Sequence, residues 1–344
     1  MGPPMLLASS KTYETSDFQL STGAHLPTLT VAYETWGELA ADGNNAILLC
    51  HGYTNHPHAA GEGGWFAPFI GPGKAIDTNK YFVVCSNMLG SAYGTSGPPS
   101  TNPETGRPYG PDFPKYTTAD MVAAQKLLID HLGIGQLKAV VGYSYGGHLT
   151  FLWGAMHPDR MRALVPVAGV ITRKTSAEEV AKIRARFEDL PGWNGGHYYG
   201  REKESGVFDR LVEMRLERLR MYGVGQHLAD TVGDAAECER ILTERATAWA
   251  GEFDANSLSI LYEAGIGSSA EAIAGNIKAP LLNVLATTDS VVDVALGQPT
   301  VDMLHERGVD ARFLPVDTPY GHAGPIADWR KWTDDLAAFL DATP

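Results

Sequence analysis

A single serine lies between two tyrosines and three glycines at residues 142–147, GYSYGG. An apolar run, residues 139–141, precedes this segment, and a helix-like apolar segment follows it. A G-x-S-x-G sequence between a strand and a helix is typical of a strained turn that projects the serine hydroxyl above a sheet. Bulky neighbours would clash at such a turn, and glycine avoids the clash. We therefore predict that Ser144 is a nucleophile.

A serine hydroxyl is a weak nucleophile until a neighbouring base removes its proton. An acid and then a histidine follow the serine in chains that carry this turn. We predict that His322 is the base and that Asp289 orients its imidazole, since each follows directly after a predicted strand. Asp293 is the alternative acid, but it is better suited to cap a helix that begins near Val294.

Acyl transfer also requires hydrogen-bond donors for the developing oxyanion. One donor is expected to be the backbone N–H of Tyr145, directly after the nucleophile. The second is expected to be the N–H of Tyr53, because a His-Gly pair after an early strand often forms this part of the site. We further expect the side chains of Tyr143 and His51 to line the substrate pocket.

Seven short runs have the length and composition of β-strands, and several of them are continuously apolar. Continuous apolar runs are typical of strands that helices cover on both faces. Helical segments alternate with these runs, which predicts an α/β fold with a mainly parallel sheet. The sheet places the predicted site residues together, because such sites form at the carboxyl ends of strands. The predicted strands are residues 28–36, 46–50, 81–85, 138–141, 163–168, 280–286 and 311–316.

Residues 172–275 lack strong strand signals and are rich in Arg, Glu and Ala, so we predict a helical lid inserted into the catalytic domain. The catalytic domain would then comprise residues 1–171 and 276–344. Within the lid, five apolar positions have helical spacing. Within the catalytic domain we predict a helix whose apolar positions run from 121 to 132 and a final helix at about 327–340. The spaced lid positions are Phe208, Leu211, Val212, Leu216 and Leu219.

The composition is that of a folded protein, with 44% hydrophobic and 19% charged residues. The formal net charge of −13 disfavours nucleic acids and anionic membranes as partners. Cys50 and Cys85 end apolar runs and are expected to be buried in strands, and with Cys238 they form no CxxC pair. A reducing compartment, the cytoplasm, fits these cysteines.

Two further features bear on location and cofactors. The N-terminal sequence MGPPMLLASS has no basic segment and too short an apolar part for a signal peptide, and the chain contains no apolar run of membrane-spanning length. His56 and His58 resemble a metal pair, but no third or fourth ligand is evident. We predict no metal, no other cofactor and no membrane association.

Four long stretches resemble the homoserine O-acetyltransferase family of α/β hydrolases. They are VAYETWGEL at 31–39, IGPGKAIDTNKYFVVCSNMLG at 70–90, GTSGPPSTNPETGRPYGPDFP at 94–114 and DMVAAQKLLIDHLGI at 120–134. The resemblance implies the α/β-hydrolase fold with a helical lid, an acyl-serine intermediate and a homodimer formed through the lid. The family includes transferases that acetylate homoserine from acetyl-CoA and relatives that hydrolyse acetyl esters.

The chain departs from the pattern of the transferases at three places. GYSYGG replaces their usual GGSMGG, and Ala323 replaces the aspartate that follows their histidine and helps to hold the homoserine ammonium. Lys182 lies near the position of a lid arginine that binds the homoserine carboxylate. These differences favour a serine esterase of short-chain, acetyl-type esters, with homoserine O-acetyltransferase as the alternative. A non-catalytic binding protein is disfavoured by the three predicted catalytic residues in order.

Overall fold

The computed structural model describes residues 10–343, so nearly all of the N-terminal segment assessed for a signal peptide lies outside the described residues. Eight strands form one sheet in the order β1-β2-β4-β3-β7-β8-β9-β10. In this sheet β2 pairs antiparallel with β1 and β4, and all other pairs are parallel. β5 and β6 form a separate antiparallel pair. The predicted α/β fold with a mainly parallel sheet is confirmed. In chain order the strands are β1 Lys11–Gln19, β2 His25–Trp36, β3 Ala46–Cys50, β4 Phe82–Ser86, β5 Thr101–Asn102, β6 Arg107–Pro108, β7 Ala139–Tyr143, β8 Leu164–Val167, β9 Leu281–Ala286 and β10 Ala311–Val316.

Helices cover both faces of the sheet and fill the segment between β8 and β9, in which the described residues form no named strand. A capping box begins α1, where the side chains of Thr117 and Asp120 bond the backbone of the first turn. The α-helices are α1 Thr118–His131, α2 Tyr145–Met156, α3 Ala177–Glu188, α4 Val207–Met221, α5 Val224–Val232, α6 Ala235–Ala250, α7 Ala255–Glu263, α8 Gly297–Glu306, α9 Gly324–Ala327 and α10 Thr333–Ala342.

All seven predicted strands are present, with ends that differ by up to three residues. Three strands were not predicted. β1 is mostly exposed and pairs only with β2 at the edge of the sheet, and β5 and β6 have two residues each. The prediction of one final helix at 327–340 is wrong, because α10 begins at Thr333. The backbone of Trp332 has φ −145°, which is not helical and separates α10 from the 3₁₀ turn at residues 329–331. The buried indole of Trp332 donates from Nε1 to the carbonyl of Pro325 at 2.7 Å.

The core lies on the two faces of the sheet. Cys50 and Cys85 are fully buried in β3 and β4 as predicted, and the three cysteines are unpaired thiols. Burial in the apolar core raises the pKa of the Cys50 thiol to about 12, so it stays protonated and acts as a small apolar side chain. The strands that carry the site are therefore held rigidly by packing from both faces.

The predictions that the chain has no metal site and no membrane span can be compared with residues 10–343 alone. Within residues 10–343, no group of three or more His, Cys, Asp or Glu side chains could hold a metal ion. His58 instead contacts the buried Glu34 through Nδ1 at 2.8 Å, and His56 packs edge-on against Tyr93 with ring centroids 5.4 Å apart. No helix in this part of the chain is both long and apolar enough to cross a bilayer.

Candidate active site

Ser144 occupies a strained turn between β7 and α2. Its backbone has φ 57° and ψ −111°, a conformation that residues other than glycine seldom adopt. The turn is close-packed: a Cβ at Gly142 would lie 2.0 Å from the carbonyl oxygen of Gly146, and one at Gly146 would lie 1.9 Å from that of Cys50. The glycines of the motif are therefore required by close backbone approach, and the turn projects Ser144 at the start of α2.

The structure brings Ser144, His322 and Asp289 together from three separate loops. His322 Nε2 lies 2.8 Å from Ser144 Oγ, and His322 Nδ1 lies 2.7 Å from Asp289 Oδ2. Both the imidazole and the carboxylate are buried, at 1% and 0% side-chain exposure. This geometry allows His322 to accept the proton of Ser144 while Asp289 fixes the tautomer that carries a proton on Nδ1.

Asp289 and Asp293 have different surroundings. The second carboxylate oxygen of Asp289 accepts backbone N–H groups from Val291 at 2.7 Å and Val292 at 3.0 Å, so the side chain is fixed by the loop. Asp293 caps the 3₁₀ turn that begins at Val294, and its carboxylate accepts the N–H of Ala295 at 2.9 Å. Only the first of these aspartates contacts the imidazole.

The two backbone N–H groups that were predicted to bind the oxyanion have no partner in the part of the chain that the structure describes. Tyr145 is the first residue of α2, and its N–H has no acceptor among the described residues; the same holds for the N–H of Tyr53. The two tyrosine rings are stacked with centroids 6.2 Å apart, and their hydroxyls donate to the carbonyls of Leu258 and Leu261 in α7. Unpaired N–H groups next to the nucleophile can donate hydrogen bonds to the oxyanion of a tetrahedral intermediate.

Of the two residues expected to line the substrate pocket, His51 lies in the interior and Tyr143 lies against the catalytic histidine. His51 is fully buried, with Nδ1 2.8 Å from the carbonyl of Gly52 and Nε2 accepting the N–H of Met88 at 3.1 Å. Burial lowers the pKa of His51 to about 4, so it supports the loop as a neutral ring. Tyr143 packs behind His322, with ring centroids 5.5 Å apart, and its hydroxyl donates to the backbone carbonyl of His322.

Helices of the insertion cover the site. We call this cover, formed by α4, Tyr222 and α6, the roof. The Tyr222 ring lies 4.8 Å from the imidazole of His322, on a loop that directly follows α4. The N–H of Ala323 donates to the carbonyl of Tyr222 at 2.8 Å, which joins the insertion to the histidine loop through the backbone. In α6, Trp249 donates from Nε1 to the carbonyl of Thr54 at 3.1 Å. The insertion is therefore hydrogen-bonded to the loop around His322 and to the loop that follows β3.

Two arginines of α4 extend into this roof. Arg215 donates to Thr54 Oγ1 at 2.9 Å and lies over the ring of Trp249 at 4.9 Å. Arg218 lies over the ring of Tyr53 at 4.9 Å. Neither guanidinium has a carboxylate oxygen within 4.0 Å among the described residues. Burial lowers the pKa of Arg215, and the positive charge of Arg218 lowers it further.

The sequence missed these arginines and assigned the lid cation to Lys182. In the structure Lys182 lies on the outer face of α3, with a 71% exposed side chain paired with Glu178 at 2.7 Å. The spacing in α4 could have pointed to these buried arginines: Arg215, Arg218 and Tyr222 follow one another at spacings of three and four, on one helical face. Charged residues repeating on the face expected to be buried indicate a polar site.

A serine, a histidine and an aspartate in this arrangement can form and break an acyl-serine ester. Comparison with known proteins agrees with this chemistry. The model of the alpha/beta hydrolase fold family matches residues 45–302. A homoserine O-acetyltransferase from Moorella thermoacetica is 36% identical over a 365-residue alignment that covers 97% of this chain and 96% of the relative. The chain belongs to the homoserine O-acetyltransferase family of α/β hydrolases.

Further relatives extend this result. A homoserine O-acetyltransferase from Deferribacter desulfuricans is 35% identical and is covered over 93% of its length. Among solved structures, esterase E22 superposes with a TM-score of 0.84 at 27% identity, covering 96% of this chain and 99% of the esterase. Homoserine O-acetyltransferase from Bacillus anthracis has the same fold, with a TM-score of 0.83 at 24% identity over 97% of this chain and 98% of that one. This chain is an enzyme whose reaction is acyl transfer or ester hydrolysis.

Proposed function

We propose that the enzyme transfers an acyl group from an acyl-CoA thioester to the side-chain hydroxyl of homoserine through an acyl-Ser144 intermediate. The relatives from Moorella thermoacetica and Deferribacter desulfuricans, at 36% and 35% identity, are named homoserine O-acetyltransferase. These names support the transferase over the esterase that the sequence alone favours. The observation that carries the proposal is the pair of arginines, Arg215 and Arg218, at the roof of the site without a carboxylate partner.

The first half of the reaction acylates the serine. His322 removes the proton of Ser144 Oγ as this oxygen bonds the thioester carbonyl carbon. The N–H groups of Tyr53 and Tyr145 stabilise the oxyanion. The carbon–sulfur bond then breaks, and the coenzyme A thiol leaves with the proton from His322.

The second half transfers the acyl group. His322 removes the proton of the acceptor hydroxyl, whose oxygen bonds the acyl carbon. The bond to Ser144 Oγ breaks, and this oxygen regains its proton from His322. Asp289 stabilises the imidazolium formed in each half. The same steps with water as the acceptor are ester hydrolysis, so the residues that hold the acceptor decide between the two reactions.

A cation site at the roof supports an acceptor that carries a carboxylate. Removing a guanidinium from water is costly unless an anion or hydrogen bonds replace the lost hydration. Arg215 has only the Thr54 hydroxyl and an aromatic face, and the charge of Arg218 opposes it. The carboxylate of a bound amino acid would neutralise it. A simple alkyl acetate offers no group for this position.

Ester hydrolysis is the second candidate, and Ala323 favours it. The residue directly after His322 has no charge, and the Asp289 carboxylate is occupied by the imidazole and by two backbone N–H groups. An acceptor ammonium therefore lacks an anion at this position. The similarity to esterase E22 at 27% identity agrees with this second candidate.

Product partitioning distinguishes the two reactions. The enzyme is incubated with acetyl-CoA and homoserine, and O-acetylhomoserine and acetate are quantified by mass spectrometry. We expect O-acetylhomoserine to be the main product. Replacing homoserine by 3-aminopropan-1-ol, which lacks the carboxylate, should lower transfer about 10- to 100-fold, the range of a charge-assisted hydrogen bond. Acetate as the main product with either acceptor would refute the transferase and leave the esterase.

A pair of variants on one helix tests the role of the cation. Arg215→Met should raise the KM for homoserine and shift the products toward acetate. Arg220→Met is the matched control, because Arg220 is half-exposed and pairs with Glu239 at 2.6 Å on the outside of the lid. Equal effects of the two substitutions on the KM for homoserine would contradict the assignment.

A further inference from the structure

The rings of Tyr53 and Tyr145, the two residues that supply the oxyanion donors of the proposed mechanism, pack against each other. They are stacked at an interplanar angle of 14° with centroids 6.2 Å apart, and the residues are 7% and 2% exposed. Their hydroxyls bond the carbonyls of Leu258 and Leu261 in α7. The distance between the two N–H groups depends on how the loop after β3 lies against the start of α2, and the stacked rings connect these two segments.

Arg173, at the start of the insertion, packs on the ring of Tyr145. Its guanidinium carbon lies 4.1 Å from the centroid of that ring and 5.8 Å from the centroid of the Tyr262 ring. A guanidinium over the face of an aromatic ring is attracted by the ring quadrupole. The backbone N–H of Arg173 donates to the carbonyl of Ser268 at 2.9 Å, so the chain is fixed at the point where this side chain begins.

Gly265 makes room for the side chain of Arg173. A Cβ at Gly265 would lie 2.6 Å from Nε and 3.2 Å from Cδ of Arg173, so the side chain would have to move. The backbone of Gly265 does not have a positive φ, so another residue could adopt its conformation. The absence of a side chain at this position therefore serves Arg173 rather than the turn.

The turn that carries the first oxyanion donor is strained. The φ of 57° at Ser144 is a conformation that persists only where the surrounding structure holds it. The ring of the next residue, Tyr145, is held at its hydroxyl by Leu261 and on its face by Arg173. An oxyanion donor is effective only when it lies about 2.7–3.1 Å from the oxygen on which charge develops, so a small displacement of this N–H lowers the rate.

We propose that Arg173 is a positioning residue for the reaction at Ser144: it holds the ring of Tyr145 so that the N–H groups of Tyr145 and Tyr53 keep the spacing that an oxyanion requires. Arg173 acts through Tyr145 and not on the acyl group itself. This inference rests on the oxyanion donors of the proposed mechanism but not on the identity of the acceptor. It therefore applies to ester hydrolysis as well as to transfer to homoserine.

Kinetics without coenzyme A and without homoserine test this role separately from the proposed transfer. p-Nitrophenyl acetate measures turnover, and a trifluoromethyl ketone measures oxyanion binding. In the ketone adduct Ser144 Oγ bonds the carbonyl carbon, its proton passes to His322, and the carbonyl oxygen becomes the oxyanion. We expect Arg173→Met to lower kcat about 3- to 30-fold, the range of a cation–π contact, with little change in KM. The dissociation constant of the ketone should rise by the same factor.

Further variants separate positioning from a general loss of stability, with urea denaturation to show that each protein is folded. Gly265→Ala displaces the Arg173 side chain without changing its charge and should lower kcat as Arg173→Met does. Gly275→Ala is its control, because a Cβ at Gly275 would meet its nearest neighbouring side chain at 3.9 Å. Arg173→Lys keeps a cation and should recover part of the rate. Arg184→Met is the control for the loss of an arginine, because Arg184 pairs with Glu263 at 2.5 Å on the other side of the insertion's first helix pair.

Wild-type kcat and wild-type ketone affinity in folded Arg173→Met would overturn the inference. If that variant does not fold, the same result in Gly265→Ala would overturn it. Equal losses in Arg173→Met and Arg184→Met, or a loss of kcat without a weaker ketone complex, would also overturn it. Failure of the proposed transfer is a separate result: the ester and the ketone react with the wild-type enzyme, but no O-acetylhomoserine forms from acetyl-CoA.

Discussion

The hydroxyl of Tyr143 donates a hydrogen bond to the backbone carbonyl of His322, and their rings pack with centroids 5.5 Å apart. The residue directly before Ser144 in the chain thus holds the backbone of the residue whose imidazole contacts Ser144. Tyr222 packs against the same imidazole at 4.8 Å. The histidine is positioned by one tyrosine of the sheet and one of the lid.

Tyr143→Phe should lower both stability and turnover. The substitution keeps the ring but leaves the carbonyl of His322 without its donor, which costs about 1–3 kcal/mol in the free energy of unfolding. Because the imidazole is then less well fixed, kcat should fall while the KM changes little. Urea denaturation and steady-state kinetics measure both effects. Tyr81→Phe is the control, because its hydroxyl contacts the carboxylate of Asp341 at 3.3 Å and not the backbone of a catalytic residue. Matching losses of kcat in the two variants would contradict a positioning role.

Ser144→Ala and Ser144→Gly should both be inactive but should differ in stability. Both remove the nucleophile, so neither should form an acyl-enzyme detectable by intact mass. Alanine keeps the strained φ of 57°, whereas glycine accepts it at no steric cost. After subtracting the entropy cost of glycine, we expect the glycine variant to be more stable by about 1 kcal/mol in urea denaturation. A covalent adduct in either variant would remove Ser144 from the nucleophile role.

Asp289→Asn and Asp293→Asn should separate catalysis from capping. The first leaves the imidazole without its carboxylate and favours the wrong tautomer, which lowers kcat by as much as ~10⁴-fold in a well-studied serine protease. The second retains a side chain that can cap, so the free energy of unfolding should fall by no more than about 1 kcal/mol and kcat should be nearly unchanged. The reverse order of rates would assign the acid to Asp293.

Stability should decline as the pH falls below about 6.5, the ordinary pKa of histidine. Burial lowers the pKa of His51 to about 4 and that of His148 to about 3, so the unfolded chain binds protons that the folded protein excludes. Each residue contributes stability that is fully present above pH 6.5 and is lost as the pH falls toward its folded pKa, with a slope of up to about 1.4 kcal/mol per pH unit.

Urea denaturation between pH 7.5 and 5 measures this slope. His148→Gln removes one of the histidines whose pKa burial lowers, so its free energy of unfolding should depend less steeply on pH than that of the wild type, even if the variant is less stable at every pH. The wild-type ring donates from Nδ1 to the carbonyl of Val170 and accepts from Ser268 at Nε2. Parallel pH profiles for the two proteins would show that His148 is not excluded from protonation in the folded state.

The sequence alone was enough to predict those residues of the site that the sheet positions. Ser144, Asp289 and His322 each follow a strand of a parallel sheet, and the carboxyl ends of such strands meet at one edge, so their proximity follows from the strand pattern alone. The direction of a side chain at a strand end does not follow from that pattern. His51 leaves β3 toward the interior, where neighbouring backbone groups satisfy both ring nitrogens, and its placement in the substrate pocket was wrong.

The lid was less predictable for a different reason. Helical spacing predicted α4, but the face of α4 that meets the catalytic domain depends on long-range packing between α4, α6 and the loop after β3. Lys182 and Arg215 both lie on helices of the insertion, and local sequence does not show which of them points outward. Only the packed structure separates the exposed lysine from the arginine that contacts Thr54.

The N–H of Ala323 donates to the carbonyl of Tyr222, so the lid and the loop around His322 have to fit each other when either is exchanged. A chimaera that takes its insertion from a relative would place a different residue against the imidazole of His322. It would also shift the carbonyl that accepts the N–H of Ala323. Its turnover would then depend on whether the donor and the recipient share the geometry of this contact. Recombination that exchanges the lid alone should therefore yield folded but slow enzymes, and exchange of the lid together with the loop around His322 should restore the rate.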